Sequence, residues 1–370
     1  MKMRIAPEYL IVSVLLMSSA CSSDSDRSGE IDGYPPRYQL CAVDSFGVET
    51  GDSISMIGAI SSICHHPNGT LVILDQPAGC LRLIPPDGEP RRALRNGSGP
   101  GELQGAQAVC ALGDGRILIS DYMKMNLMTY DADANYLGDY FPTSRSDPPG
   151  MLWAVDSSSI VGVDLDGMTI DGVTAGFYYC ARYDSDIDVS EFYYIMNCDE
   201  LGYNDGVRKF EVLEFYADRQ GMVYLVTDNT LYSVDALNPD GSLAYSIELP
   251  ADRNRKSAEQ IATEIAEFEA FAVNDRAYPG GYQPCPYDRL ISIVGVDIEG
   301  RLWIERFGSG DTYDFDVWEE GTLRYTAVLP VVDEEKLEMT FSVGEAGIVG
   351  AVTDPYDYPR VYFYEKQQIQ

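Results

Sequence analysis

GTLVILDQPAGCLRLIPPDG at residues 69–88 and GRILISDYMKMNLMTYDADA at residues 115–134 are two copies of one unit, offset by 46 positions throughout. Gly69 aligns with Gly115, Asp75 with Asp121, Leu81 with Leu127 and Asp87 with Asp133; just upstream, Cys64 aligns with Cys110. Each copy has an apolar strand, a turn at Asn68-Gly69 or Asp114-Gly115, a second apolar strand ending in Asp, and two more short strands. A period near 46 residues with four strands per unit is the mark of a β-propeller. Weaker copies at Ser159–Asp164, Gly221–Asp235, Gly300–Trp318 and Gly347–Tyr364 bring the count to six. The last copy ends one strand short, and Tyr38–Val43 is expected to supply it. Pairing the two chain ends in one blade would remove the open edge that otherwise templates aggregation. The expected fold is therefore all-β: a six-bladed β-propeller of four-stranded blades over residues 37–370.

One stretch breaks the strand pattern. Ser257–Ala272 (SAEQIATEIAEFEAFA) places Ser257 and Gln260 as a capping box, with Ile261, Ile265 and Phe268 on one face. An amphipathic helix is expected there, inserted at about 256–274 between the fourth and fifth units and followed by the loop-forming Tyr278–Tyr282. It either covers the flank or mouth of the propeller or acts as a lid or docking element.

The N-terminus carries an address. Met1–Arg4 is basic, Leu10–Met17 is apolar, and Ser18-Ser19-Ala20 precede Cys21. The apolar run is shorter than the ~20 residues that span a bilayer, so residues 1–20 read as a secretory signal peptide. The Cys directly after Ala20 resembles a bacterial lipoprotein signal, in which that Cys is acylated and becomes the mature N-terminus. Residues 21–36 are polar and read as a flexible tether, and Ser22 after the Cys resembles an outer-membrane sorting pattern. The alternative is an ordinary signal peptide that leaves a soluble periplasmic protein.

Composition narrows the partners. The 370 residues include 26 Lys and Arg against 59 Asp and Glu, a net charge of −33. Removing residues 1–20 leaves 24 basic and 58 acidic side chains, a net −34. Such a surface is a poor partner for nucleic acid and is repelled by anionic lipid, so membrane contact is expected through the lipid alone. A monomer is expected. The hydrophobic fraction of 45% is that of a folded globular chain.

Between Gly97 and Leu103 the chain reads GSGPGEL, leading into the first strand of the second unit. Together with the Gly115–Asp121 strand, this segment resembles the bacterial six-bladed propeller lipoproteins related to NHL-repeat proteins. The resemblance covers roughly residues 37–370 and is clearest in the first two units. It implies the fold and export, and it supplies no active site.

In a propeller, the loops before each first strand share one face with those between second and third strands. That rule brings Arg95, Ser98, Glu102 and Tyr282 to a common mouth with Asp75, Asp121, Tyr122, Lys124, Asp228, Asp311 and Asp354. The mixed-charge set Arg95, Glu102, Asp121 and Lys124 is the stronger binding candidate, because an Asp at a strand end commonly caps its own turn. Asp184, Asp186 and Asp188 alternate as ligands of Ca²⁺ would, but Val189 and Ile195 stand where an EF-hand loop needs Gly and Glu. Cys180 and Cys198 flank this tip almost symmetrically about Val189 and are a disulfide candidate. Cys64 and Cys110 read as small buried hydrophobes.

Other motifs are weak. The Gly-rich GSGPG lacks a following Lys-Ser/Thr and enters a strand, unlike a phosphate loop. The two histidines, His65 and His66, adjoin a turn on the opposite rim. No GxSxG or HExxH pattern occurs. Tyr178-Tyr179 and Tyr193-Tyr194 could stack on sugars, although large residues are also needed between blades. The expected function is a lipid-anchored envelope scaffold presenting a propeller face to a protein, peptide or glycan. The competing expectation is a Ca²⁺-dependent lactonase or esterase with its metal in the channel.

Overall fold

The computed structural model describes residues 35–140, 148–170, 173–184, 188–198, 207–209, 213–271, 281–308, 312–331, 337–353 and 357–369. The expected signal peptide (residues 1–20), Cys21, Asp186, Asp311 and Asp354 lie outside them.

Strand β1 (Arg37–Phe46) comes first. The first four-stranded antiparallel sheet holds β2 (Ser62–His65), β3 (Leu71–Asp75), β4 (Cys80–Ile84) and β5 (Arg91–Ala93). The second holds β6 (Ala106–Ala111), β7 (Ile117–Asp121), β8 (Asn126–Tyr130) and β9 (Tyr136–Tyr140). The third holds β10 (Met151–Ala154), β11 (Ile160–Ile170), β12 (Val173–Tyr183) and β13 (Val189–Asn197). After the short β14 (Val207–Lys209) come β15 (Glu214–Ala217), β16 (Val223–Val226), β17 (Ser233–Leu237) and β18 (Leu243–Glu248), the fourth sheet.

Helix α1 (Ala258–Phe271) forms where the capping box places it: the Ser257 N–H donates to Gln260 Oε1 at 2.8 Å and the Gln260 N–H to Ser257 Oγ at 3.2 Å. Part of the loop expected after it is instead β19 (Gly281–Gln283), which pairs parallel with β14.

The remaining strands are β20 (Ile291–Val296), β21 (Leu302–Arg306), β22 (Thr312–Glu319), β23 (Thr322–Pro330), β24 (Met339–Gly344), β25 (Gly347–Val352) and β26 (Arg360–Ile369). With β1 they form one closed sheet of eight strands, not the two separate blades expected. Two parallel contacts join the halves: Arg37–Gln39 of β1 along Thr326–Val328 of β23, and Gly295 of β20 beside Val343 of β24. Gly295 has a φ of 146°, and a Cβ there would stand 3.2 Å from the Val343 side chain and carbonyl oxygen, so the close approach needs glycine. The expected pairing of the chain ends is present: β1 runs antiparallel to β26 from Arg37↔Ile369 to Phe46↔Val361.

The first strands of all these units contact one another in turn, β2 to β6, β10, β15, β20 and β24, and β24 returns to β2. The core lies between neighbouring sheets. Leu74 and Leu83 of the first sheet pack on Val109, Ile119 and Tyr130 of the second, and Leu118 and Leu127 of the second on Tyr179 and Tyr183 of the third. Strands buried on both faces explain why β3, β4, β7 and β8 read as near-continuous apolar runs. The arrangement is nearly all-β and propeller-like.

Candidate functional site

The conserved geometry of the first two units decides what their aspartates do. Asp75 Oδ2 accepts the Gly58 N–H at 3.0 Å, and its Oδ1 accepts those of Ala59 and Ala78, both at 3.2 Å. Forty-six positions on, Asp121 Oδ2 accepts the Gln104 N–H at 2.8 Å, and its Oδ1 accepts those of Gly105 and Lys124, both at 3.0 Å. Both carboxylates are fully buried, and Asp75 is also paired with buried Arg82 at 2.9 Å. They fasten the loop before the first strand to the turn after the second, which leaves no lone pair aimed at solvent.

Arg95, Glu102 and Lys124 do come together, around the GSGPG loop. Glu102 accepts the Gly99 N–H at 2.9 Å and the Arg95 Nε–H at 2.6 Å, and Lys124 Nζ donates to the Gly99 carbonyl at 2.7 Å. The backbone donor at Gly99 and the Arg95 guanidinium hold the Glu102 carboxyl below its usual range. A Cβ at Gly97 would fall 2.1 Å from Glu102 Oε2. The chain's own carboxylate thus fills the cradle that the glycines open. Tyr122 is 53% exposed on the adjacent turn, beside exposed Met123 and Met125. Tyr282 belongs to β19, where its ring stacks on Phe268 of α1 at 4.9 Å. Asp228 binds the Thr230 N–H of its own turn and pairs with Arg253.

At the hairpin tip the Asp188 N–H donates to Asp184 Oδ1 at 3.1 Å, and the Asp184 N–H to the Asp188 carbonyl at 3.1 Å. Among the described residues, no group of three or more His, Cys, Asp or Glu side chains is placed to hold a metal ion. Cys180 and Cys198 are not joined. Tyr183 pairs with Val189, and this register sets Cys180 opposite Tyr194 rather than Cys198. Cys198 packs beside Gly176. The paired tyrosines are taken into packing: Tyr179 is fully buried edge-on to Phe192, and Tyr178 and Tyr194 lie against Phe215.

A cavity lies at the other end of the strands. About 370 Å³ in volume, it is bounded by the ends of β2, β6, β10, β15, β20 and β24 and the turns that follow them. His65 ends β2 and Asp75 ends antiparallel β3, so this opening is opposite the expected mouth. Arg219, on the turn after β15, reaches across it. Its Nη2 donates to the His65 carbonyl at 2.7 Å, its Nη1 to the Ala111 carbonyl at 2.9 Å, and its Nε to Glu345 on the turn after β24. One guanidinium thereby ties the fourth sheet to the first, the second and the closed sheet.

His65 is committed to structure. Its Nδ1 accepts the Ala346 N–H at 3.1 Å, which puts the ring proton on Nε2, where it donates to Ser342 Oγ at 2.9 Å. Burial, with help from the Arg219 charge, pushes its pKa down to about 4. A ring held in this tautomer cannot take a proton from Ser342. Burial raises the thiols too, Cys110 to about 12 and Cys64 well above its usual value, so neither is a thiolate at neutral pH. Asp218 accepts the Gln220 and Met222 N–H groups, and Asp297 those of Glu299 and Arg301 together with Arg301 Nε and Trp303 Nε1. Both cap the turns on which they sit. Trp153 and Tyr216 form an edge-to-face aromatic wall at 6.3 Å.

No protein-family model matches the sequence, and no curated protein is similar to it. Among solved structures, the chain is similar to a Bacteroides fragilis protein named as exported, at 13% identity and a TM-score of 0.55 over 89% of this chain and 95% of that one. It is also similar to a member of the DUF4221 family from Bacteroides vulgatus, at 10% identity and a TM-score of 0.52 over 91% and 100%. A gluconolactonase from Xanthomonas campestris aligns over 89% and 100% at 10% identity, with a TM-score of 0.44, too low to bear on activity. At these identities the first two likenesses concern the fold alone.

Proposed function

We propose that the chain is a lipid-anchored binding scaffold of the cell envelope, built on a six-bladed propeller. The ring of six first strands supports that blade count: β20–β23 act as the fifth blade, and β24–β26 with β1 as the sixth. Residues 1–20 direct export, Cys21 carries the lipid, and the anchor is in the outer membrane. The face formed by Asp75, Arg95, Glu102, Asp121, Tyr122 and Lys124, with Tyr282 on the inserted element, meets a protein, peptide or glycan.

One observation carries this reading. On a turn fastened by the buried Asp121 carboxylate, Tyr122, Met123 and Met125 are 53%, 59% and 39% exposed. Large apolar side chains grouped at a tip favour recognition. The competing hydrolase would need Ca²⁺ in the channel, where Asp218 and Asp297 already hold their own turns and His65 has no spare base.

Cross-linking in intact envelopes tests the proposal. Arg95→Glu and Lys124→Glu are expected to lose the partner that the wild type captures, while Cys21→Ala moves the protein into the soluble fraction. Retention of that partner by both charge reversals, or lactone hydrolysis that chelator abolishes and Ca²⁺ restores, would overturn it.

A further inference from the structure

The Arg219 guanidinium is fixed in an unusual way. Two of its three partners are main-chain carbonyls, those of His65 and Ala111, contributed by two different sheets. Main-chain oxygens at strand ends cannot swing away, so the guanidinium stays in place whatever its third partner does. That partner, Glu345, is a side chain on a short turn and a quarter exposed. Of the five guanidinium N–H groups three are used, leaving one on each terminal nitrogen without a protein acceptor among the described residues. Trp153, Tyr216, Leu152 and Val343 line the same cavity. A volume near 370 Å³ lies in the range of small-molecule sites, in which apolar walls and a few fixed polar groups set orientation.

We propose that the axial cavity binds a small organic carboxylate with an apolar or ring-shaped body, held on Arg219 in competition with the Glu345 side chain. A planar carboxylate matches the guanidinium fork, and the aromatic wall covers the body of the acid. Whether the ligand takes the two unused N–H groups or the position of Glu345, the glutamate is its electrostatic rival. In a chain of net charge −33, a fixed cation of this kind is what gives an anion a local foothold. This inference rests on the reading of the chain as a binding protein and concerns the end opposite the proposed partner face, so the two fail separately.

The test uses the full-length protein with phenylacetate as probe, and phenylacetamide and phenethylamine as neutral and cationic controls. Calorimetry gives affinity. Tryptophan fluorescence gives location, because of the three tryptophans Trp303 and Trp318 are buried in the core whereas Trp153 lines the cavity. Phenylacetate is expected to bind, both controls to bind at least about fivefold more weakly, and Glu345→Gln to tighten phenylacetate by about fivefold. Arg219→Lys, which keeps the charge and loses the fork, should weaken it; the fluorescence change should vanish in Trp153→Phe. Arg219→Gln removes ties to other sheets and is read only after a melting curve shows that it folds, whereas Glu345→Gln leaves the guanidinium in place. Unchanged or weaker binding in Glu345→Gln, equal binding of the amide, a signal that survives Trp153→Phe, or no binding by either wild type or Glu345→Gln would each overturn the proposal. Partner capture at the opposite face would be unaffected by any of them.

Discussion

Sheets one and two share their caps down to single atoms, yet their turns carry different cargo. Gln76-Pro77-Ala78-Gly79 in the first becomes Tyr122-Met123-Lys124-Met125 in the second. Gly79 and Met125 both hold a φ of 56°, left-handed backbone that suits glycine and strains methionine. Residue 82 is an arginine buried against Asp75, whereas its counterpart 46 positions on is Met128. His65 likewise corresponds to Ala111. The comparison teaches that the buried carboxylate sets the turn, and that the turn keeps its shape even around a poorly suited residue. Its outward side chains are then free to vary, and in the second unit they are large, apolar and exposed.

Four measurements would break or sharpen this contrast. Asp75→Ala has the largest expected effect, about 3–5 kcal/mol in chemical denaturation, because it strands the buried Arg82 as well as three N–H groups. Adding Arg82→Met, which copies the second unit, should recover part of that loss; no recovery would mean that the ion pair is not what separates the two caps.

Next comes acid sensitivity. His65 has a folded pKa of about 4 against an unfolded value near 6.5, so the unfolded chain binds the extra proton between those values. Its contribution is fully present above about pH 6.5 and is lost as pH falls towards 4, an amount of about 3 kcal/mol. His65→Ala, which makes the first unit match the second, should flatten the stability profile in that window, and an unaltered slope would refute the buried neutral ring.

Asp121→Ala should cost less than Asp75→Ala, about 2–3 kcal/mol, since it leaves donors unpaired and strands no cation. Smallest is Met125→Gly, expected to stabilise by about 0.5–1 kcal/mol by relieving the left-handed methionine. The same change should weaken partner capture. A variant both more stable and equally competent would show that the strained turn has no role in recognition.

Much of this was legible in the residues. Turn glycines, apolar runs ending in Asp and the Ser257/Gln260 capping box each act within a few positions, so the units and the helix could be read directly. The Cys180–Cys198 pairing was misjudged because spacing alone does not say where a hairpin turns; bulges beside Cys180 and Arg182 shift the register further. The joining of the last seven strands and β1 into one sheet depends on two short parallel contacts between segments far apart in sequence, β1 with β23 and Gly295 of β20 with Val343 of β24.

The cavity left a trace that was not used. Arg219 and Glu345 each stand two residues before a turn glycine, Gly221 and Gly347, so they occupy the same station in two units. Opposite charges at one station of a ring can meet across its axis, whereas the repeated aspartates that stand out in the sequence lie at the other end of the strands.

The pairing of β1 with β26 also fixes an order of events. Phe46 and its partner Val361 are separated by most of the chain, and β23, the other neighbour of β1, is also a late strand. During synthesis or passage through a translocon, the first strand to emerge is the last to find its place. Until residues 326–328 are available β1 has no native partner on either edge, and until β26 follows one edge stays unpaired, a template for wrong partners. Ring completion then becomes a proofreading step: a polypeptide interrupted anywhere before β26 cannot hide its own first strand, and it remains visible to the proteases and chaperones it meets.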